Sequence, residues 1–402
     1  HTFAQFGSGS LVPGTKTHIS RFKLINPLSM LKEARHLEDI GVNGLLKNTS
    51  IERQTLITTP FHQATNRIKE MIRGNGRHGS CGMGVGETMS DFVSFGDQVL
   101  MAGDLANLAV SKAKLKFIQA LKYSQILELL KSVELTPEIK SELLILADPK
   151  LAAACTKFYL SFCKMTNIVD ETYLKKILEA ETTVIFEGAQ GVLLDEWFGF
   201  YPYTTWSTTT FDNALTLLAE SGYKGNVTKL GLVRAYATRH GAGPFVTYSS
   251  ELSAKIPDCH NENNPWQREF RVGYFDAVAT RYALEVCGGA DVLGVTNLDR
   301  LKGVSNWKTA NSYLAPSYLI EKIRPFAETN GTNITDLKVV RPVDLSHQQA
   351  LTHLLENCQP VYDDFYDTAS IDKYLNLLAT LLNVPVGLTS YGMTALEKSS
   401  TL

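Results

Sequence analysis

The sequence lacks the features that mark several specialised classes of protein. Its 402 residues carry a formal net charge of −2, so no basic field indicates a nucleic acid or an anionic membrane as a partner. No apolar run approaches the roughly 18–20 residues of a membrane-spanning helix, and the first residues show no signal-peptide pattern. We therefore expect a cytoplasmic protein that contacts neither membranes nor nucleic acid.

Cysteine is also scarce and follows no disulfide or metal-binding framework. The chain has six cysteines, without a C-x-x-C pair or a zinc-ligand spacing. We expect reduced thiols, and we assign no residue of this chain as a metal ligand. With 44% hydrophobic and 20% charged residues, the composition is that of an ordinary globular protein. We expect one large domain over residues 1–402 rather than two.

Short β-rich runs alternate with helical segments from Thr182 onward, and this alternation predicts an α/β fold. We expect a large, mostly parallel central sheet flanked by helices. Upstream, residues 105–180 are dense in Leu, Lys, Ala and Glu and form a predicted helical subregion, and apolar spacing predicts a helix over Pro60–Arg73. The predicted strands are Val184–Phe186, Val227–Tyr236, Val292–Thr296 and Val384–Thr389.

Glycine and polar side chains follow each predicted strand. The residues in these positions are Gln190, His240, Asn297, Asp299, Ser390 and Gly392. Because ligands of open α/β sheets bind beyond the carboxyl ends of the strands, this pattern predicts a composite ligand site.

Residues 74–86 hold six glycines in thirteen positions, together with Arg77 and Ser80. Glycine lets backbone N–H groups approach an anion, so the segment is typical of a phosphate-binding loop. A mobile surface loop is the alternative.

Six hydroxyl side chains precede a predicted helix near Asp212. They are Thr204, Thr205, Ser207, Thr208, Thr209 and Thr210. A helix cap needs one hydroxyl, so both phosphate or ribose binding and local turn bonding remain open.

Three other side-chain types suit particular ligand groups. The neutral amide of Gln190 both donates and accepts, which suits the edge of a 6-oxopurine, although a structural glutamine is the alternative. The carboxylate of Asp299 could accept two N–H bonds from a guanine. Arg268 and Arg271 could bind a carboxylate through two hydrogen bonds each, or be solvated surface residues.

Taken together, these segments resemble the adenylosuccinate synthetase family. The segments that carry the resemblance are F-E-G-A-Q-G-V-L-L-D (186–195), Y-P-Y-T-T (201–205), A-Y-A-T-R-H-G-A-G-P-F (235–245), G-Y-F-D-A-V-A (273–279) and T-N-L-D (296–299). The resemblance implies a P-loop-related α/β fold and a homodimeric ligase of purine biosynthesis. Such a ligase joins L-aspartate to C6 of inosine monophosphate (IMP) through a 6-phosphoryl intermediate, with GTP hydrolysis and Mg²⁺.

The resemblance also implies a role for each matching residue. His1 would stabilise the transferred phosphoryl group, and Gln190 would orient the purine during catalysis. The implied purine nucleotide contacts are Ser80, Cys81, Gln190, Thr205 and His240. The implied triphosphate contacts are Thr2, Asn297, Asp299, Ser390 and Gly392. Arg268 and Arg271 would hold the aspartate carboxylates.

Some positions depart from the family pattern. The family's glycine-rich loop, with its catalytic aspartate and magnesium ligand, lies upstream of His1 and is absent from this sequence. Asn297 replaces a lysine, which leaves GTP and ATP both open. Residues 81–87 and Trp266-Gln267 resemble a phage branch that uses deoxyguanylate (dGMP), often with ATP. A purine nucleotide-binding protein without catalysis is the alternative from another class.

Overall fold

The structure is a computed structural model that describes residues 4–77, 79–180, 182–258, 261, 266–267, 269–302, 304, 307–363 and 370–401. Its residues form two compact units, one of His1–Glu187 with Thr216–Tyr223 and one of Gly188–Leu215 with Lys224–Leu402. Helices and parallel strands occur in both units, so the predicted α/β class is confirmed.

The first unit is mainly helical and contains a short parallel sheet in the order β1-β2-β3. Its strands are β1 Thr17–Ile19, β2 Thr49–Glu52 and β3 Asn167–Val169. Its helices are α1 Pro27–Asp39, α2 Pro60–Arg73, α3 Val85–Phe95, α4 Leu108–Leu129, α5 Pro137–Ala147, α6 Leu151–Met165 and α7 Tyr173–Leu178. The predicted helical subregion is therefore mainly helix, with β3 inserted between α6 and α7.

Local sequence signals explain where the first helices begin. The Asn26 side chain accepts hydrogen bonds from two backbone N–H groups of α1, and Pro27 occupies the first helical position. Thr59 caps α2 in the same way before Pro60, so the predicted helix Pro60–Arg73 is confirmed. The buried face of α2 includes Ala64 and Ile68, which join the hydrophobic core of this unit.

The described residues of the second unit form three sheets. A mainly parallel sheet has the order β14-β13-β8-β4, and a mainly antiparallel sheet has the order β10-β11-β9-β12, with β7 parallel to β9. Strands β5 and β6 form a two-stranded antiparallel ribbon. The strands are β4 Leu230–Arg234, β5 Ala237–His240, β6 Phe270–Gly273, β7 Phe275–Asp276, β8 Val292–Thr296, β9 Thr309–Leu314, β10 Ala327–Asn330, β11 Asn333–Leu337, β12 Gln359–Tyr362, β13 Val386–Ser390 and β14 Lys398–Ser400.

The remaining helices follow the β-rich runs along the chain, and those near 213–221 and 275–286 were predicted. They are α8 Asp212–Glu220, α9 Ser250–Lys255, α10 Ala277–Val286, α11 Ile320–Ile323, α12 Leu345–Leu355 and α13 Ile371–Leu382. The part of α8 from Thr216 onward groups with the first unit. Among the described residues, none of the helices is long and apolar enough to cross a membrane.

One predicted strand is wrong. Residues Val184–Phe186 form no strand in the structure, and Ile185 is 83% exposed. A β-rich run becomes a strand only where a neighbouring strand takes up its backbone hydrogen bonds. No described residue pairs with this run.

Candidate active site

Two adjacent parallel strands carry four of the five predicted triphosphate contacts at their carboxyl ends. Strand β13 is hydrogen-bonded in parallel to β8, so the segments that follow the two strands leave the sheet side by side. Asn297 and Asp299 follow β8, whereas Ser390 ends β13 and Gly392 follows it. The structure therefore brings these four predicted residues together at one sheet edge.

Asn297 turns the chain sharply where β8 ends. Its backbone is left-handed, with φ 62° and ψ 29°, and its Oδ1 accepts a hydrogen bond from the Thr296 hydroxyl at 3.0 Å. Asp299 then lies in the first turn of a short 3-10 helix, Leu298–Leu301. The half-buried Asp299 carboxylate has no hydrogen bond or ion pair with any described residue, so it can accept from a ligand.

Gln190 is exposed and also has a left-handed backbone, with φ 71°. This conformation is costly for a residue with a side chain. The described chain contains one further non-glycine residue of this kind, Asn383, which caps the end of α13. The other two, Gln190 and Asn297, are both residues predicted to contact a ligand.

A buried carboxylate organises the loop that follows Gln190. Asp195 is 1% exposed. Its Oδ1 accepts from the N–H groups of Trp197 at 2.9 Å and Phe198 at 3.1 Å. Its Oδ2 accepts from the N–H of Thr209 at 2.7 Å and from the Thr209 hydroxyl at 3.2 Å. One side chain thus joins the two ends of the loop.

The row of hydroxyls divides into two groups. Thr208, Thr209 and Thr210 donate to the carboxylates of Glu196, Asp195 and Asp212 respectively. The side chains of Thr204, Thr205 and Ser207 form no hydrogen bond with described residues and remain half-buried. The hydrogen bonds of the first group are local turn bonds. The hydroxyls of the second group, which includes the predicted contact Thr205, are available to a ligand.

The β5–β6 ribbon carries two predicted contacts. His240 pairs with Phe270 across the ribbon, and their rings meet edge to face with centroids 5.6 Å apart. The Arg271 guanidinium lies over the Phe245 ring, 5.5 Å from its centroid. Burial lowers the pKa of Arg271, and Nη2 donates to the carbonyls of Gly241 at 2.7 Å and Gly243 at 3.0 Å.

In the first unit, the glycine-rich loop is pinned to α2. Arg67 Nε donates to the carbonyl of Gly82 at 3.2 Å, and the Ser80 hydroxyl donates to Asn66 Oδ1 at 2.8 Å. Gly84 has φ +82°, and a Cβ there would lie 2.8 Å from the backbone N of Gln63. The loop is therefore packed against the helix, which argues against the alternative of a mobile loop.

A buried ionic network joins the helices on either side of this loop. Lys122 of α4 is 1% exposed and donates to Glu87 at 3.0 Å and Asp91 at 2.6 Å, both on α3. Asp91 is also bonded to His62 of α2 at 3.1 Å. Burial lowers the pKa of His62, which favours a neutral ring. The network fixes α3 and the loop that precedes it.

Three of the predicted site residues fall outside the part of the chain that the structure describes. His1, Thr2 and Arg268 lie outside the described residues. Cys81 is exposed in the glycine-rich loop. In the part of the chain that the structure describes, no group of three or more His, Cys, Asp or Glu side chains could hold a metal ion.

The sequence analysis missed Asp195 and Arg239 as residues that shape the site. Asp195 closes the segment F-E-G-A-Q-G-V-L-L-D, and Arg239 lies inside A-Y-A-T-R-H-G-A-G-P-F. A charged residue within an otherwise apolar or glycine-rich motif was the available signal, because such a residue is buried only when it is bonded.

Comparisons with known proteins give a consistent result. The model of the family "Adenylosuccinate synthetase" matches residues 1–398. The adenylosuccinate synthetase of Shewanella oneidensis is 30% identical over 393 residues, which cover 96% of this chain and 84% of that protein. That of Picosynechococcus is 29% identical over 96% of this chain and 81% of its own length.

Two solved structures share the fold. The fully ligated adenylosuccinate synthetase from Plasmodium falciparum matches with a TM-score of 0.70 and 20% identity, over 98% of this chain and 87% of that chain. The cyanophage S-2L succinoaminodeoxyadenylate synthetase bound to dGMP and dATP matches with a TM-score of 0.53 and 12% identity, over 99% of this chain and 80% of that chain.

Proposed function

The chain belongs to the adenylosuccinate synthetase family, and from this premise we propose which of its residues carry the family's reaction. Members of the family are ligases that form a carbon–nitrogen bond with the help of a nucleoside triphosphate. They join aspartate to IMP to give adenylosuccinate in purine biosynthesis. The observation that carries the assignment is the family match over residues 1–398.

We propose that Gln190 and Thr205 contact the purine nucleotide. The Gln190 amide can donate to and accept from the O6 and N1 edge of a 6-oxopurine. The Thr205 hydroxyl, which has no described partner, can donate to a phosphate or ribose oxygen. Ser80, Cys81 and His240 are proposed contacts of the same nucleotide because they match the family positions. In the first step, O6 attacks the γ-phosphate of the triphosphate, and the nucleoside diphosphate leaves.

In the second step, the amine of L-aspartate attacks C6 and the phosphate leaves with O6. We propose Arg271 as the residue that holds an aspartate carboxylate, because its guanidinium is fixed by two carbonyls and an aromatic ring. Arg268 and His1 keep their proposed roles in aspartate binding and in phosphoryl transfer.

For the triphosphate we propose Asn297, Asp299, Ser390 and Gly392, which share one sheet edge, with Thr2 as a further contact. The Asp299 carboxylate, which bonds to no described residue, can accept the N1 and N2 hydrogens of guanine, which supports GTP as the donor. The family uses GTP and Mg²⁺ generally. Because the described side chains offer no cluster that fits a metal ion, no step is assigned to Mg²⁺ on them.

We further propose that the protein acts in the cytoplasm as a homodimer. The family resemblance supports this assembly. Light scattering of the full-length protein at several concentrations measures its mass directly. A monomer at every concentration would contradict the proposal.

A coupled assay of phosphate release tests the proposed reaction. It uses the full-length protein with L-aspartate and crosses IMP or dGMP with GTP or ATP. We expect aspartate-dependent release with IMP and GTP as the best pair. Release with dGMP and ATP instead would indicate that the chain catalyses the phage-type reaction. No release in any combination would contradict the ligase assignment.

A further inference from the structure

Of the arginines that the structure describes, Arg239 is the one whose side chain is buried, with 8% exposure. Within the described residues it forms no ion pair with Asp or Glu. Burial, and then the charge of Arg271, lower the pKa of Arg239 to about 10. A buried guanidinium without a carboxylate partner is costly, so its hydrogen bonds must hold something specific in place.

Those hydrogen bonds go to two separate loops. Nε donates to the carbonyl of Ala242 at 2.8 Å, and Nη2 donates to the carbonyl of Tyr203 at 3.4 Å. Ala242 follows His240 in the turn after β5, and Tyr203 lies two residues before Thr205. One guanidinium therefore joins the segments that carry two proposed purine nucleotide contacts.

The turn after β5 is packed directly onto this guanidinium. Gly243 has φ +104°, and a Cβ there would lie 2.2 Å from Arg239 Nη2 and 2.8 Å from Cζ. Only glycine fits between the turn and the arginine at this separation. The carbonyl of the same Gly243 accepts from Arg271 at 3.0 Å. The position of Arg239 thus also sets the position of Arg271.

Arg239 and Arg271 are directly opposite each other in the β5–β6 ribbon. Side chains of directly opposed residues project from the same face, so two positive charges share one face of the ribbon. In the described part of the chain no acidic side chain bonds to either of them. Such a face attracts anions, and both the purine monophosphate and L-aspartate are anions.

We propose that Arg239 is a positioning residue for the purine nucleotide and for aspartate, which it does not itself contact. Its planar fork holds the turn 241–243 and the Tyr203 carbonyl in one geometry, so that Thr205, His240 and Arg271 face the two anionic substrates together. This inference rests on the proposed function. It extends that function to a residue whose hydrogen bonds to described residues go to main-chain carbonyls.

Steady-state kinetics of Arg239→Lys in the full-length protein test this role. Lysine keeps the charge, but its single ammonium group cannot bond to both the Ala242 and the Tyr203 carbonyl as the planar guanidinium does. We expect the KM for the purine monophosphate and for L-aspartate to rise about tenfold to a hundredfold, as for the loss of one charge-assisted hydrogen bond. The KM for the triphosphate should stay within about twofold, because Arg239 bonds to none of the proposed triphosphate contacts.

Arg281→Lys is the matched control. Arg281 likewise donates to carbonyls, those of Asn311 at 3.1 Å and Thr335 at 2.6 Å, and it also donates to the side chains of Asp336 and Asn311, but these residues carry no proposed contact. We expect this variant to lower the melting temperature without changing any KM. If Arg239→Lys behaves in the same way, Arg239 is structural only and the proposal is overturned.

Isothermal titration of the monophosphate alone separates this proposal from the ligase assignment. The wild-type protein should bind the nucleotide and Arg239→Lys should bind it at least about tenfold more weakly, whether or not turnover is observed. Equal affinities would overturn the role of Arg239, and absent turnover would count only against the ligase reaction. If Arg239→Lys does not fold, Gly243→Ala disturbs the same contact from the other side and should weaken binding in the same way. Wild-type affinity in that variant would also overturn the role.

Discussion

At the scale of single residues, Gln190 combines an exposed polar side chain with a left-handed backbone. Such a conformation costs free energy of about 1–2 kcal/mol and persists only where the surrounding structure imposes it. Residues held in such strained conformations cluster at active sites and ligand clamps. We interpret the conformation as the means by which the amide is presented to the purine.

Gln190→Ala should lower kcat/KM for the purine monophosphate about tenfold to a hundredfold, because one donor and one acceptor to the base are lost. The KM for the triphosphate should not change. Gln190→Gly is the informative control, since glycine adopts the left-handed backbone without strain. It should be at least as stable as the wild type and equally defective. Wild-type turnover in either variant would remove Gln190 from the reaction.

Asp276 shows how burial changes the properties of one carboxyl group. It caps α10 by accepting from the Ala279 N–H at 2.9 Å, and the Tyr313 hydroxyl donates to it at 2.6 Å. Burial raises the pKa of Asp276 from 3.8 to about 6. The folded state therefore holds this proton over a pH range in which the unfolded chain has already released it.

The free energy of unfolding should consequently fall as the pH rises from about 4 to about 6, and the loss should be constant above that range. Asp276→Asn should remove this part of the pH dependence, because asparagine keeps the acceptor for Ala279 but does not titrate. Urea unfolding at several pH values measures the effect. An unchanged slope in Asp276→Asn would contradict this assignment.

At the scale of elements, the loop that follows Gln190 separates structural hydroxyls from those available to a ligand. Asp195 holds both ends of the loop through four hydrogen bonds, and two of these come from Thr209. Thr205 lies between these anchored ends without a side-chain bond to a described residue. Threonine therefore has two roles in this loop: Thr209 stabilises it, and Thr205 is available to a ligand.

Thr209→Val should lower the free energy of unfolding by about 1–2 kcal/mol, because it removes one hydrogen bond to a buried carboxylate. Thr205→Val should leave stability within about 0.5 kcal/mol of the wild type and weaken monophosphate binding instead. Chemical denaturation and nucleotide titration of both variants give the two readouts. A stability loss in Thr205→Val without a change in binding would contradict the proposed division.

Packing of the glycine-rich loop on α2 can be tested with a pair of glycines of similar backbone. Gly84→Ala should lower the free energy of unfolding by about 2–4 kcal/mol, because of left-handed strain and of contact with the α2 backbone. Gly14 has φ +83° but nothing within 4 Å of an added Cβ, so Gly14→Ala should cost about 1–2 kcal/mol from strain alone. Equal costs would show that the loop is not packed as described.

The elements that the sequence predicted correctly are those specified by local signals. A capping threonine with a proline fixes α2, and a continuous apolar run of strand length fixes β8. Val184–Phe186 has the same composition as a strand, but pairing is a long-range property that a single segment does not contain. The antiparallel sheet of β9 to β12 was missed because its strands are polar and irregular, with burial that alternates only in part.

At the scale of the whole molecule, function was predicted from the joint spacing of several weak motifs. Each motif had a plausible structural alternative, and the family match over residues 1–398 confirms the combination. What the sequence could not predict was the support behind the contacts, such as Asp195 and Arg239. Apart from the Thr209 hydroxyl, their partners are backbone groups, which any residue provides, so the sequence indicates that these charged residues are bonded but not which loops they join.

The central claim is that O6 of the purine first attacks the γ-phosphate. The amine of L-aspartate then attacks C6, and the phosphate leaves with O6. The most direct measurement uses a monophosphate labelled with oxygen-18 at O6, L-aspartate and the triphosphate with the full-length protein, followed by mass spectrometry of the released phosphate. The account predicts that each released phosphate carries the label and that succinylated product forms in equal amount. Unlabelled phosphate, released alongside product or without it, would contradict the account.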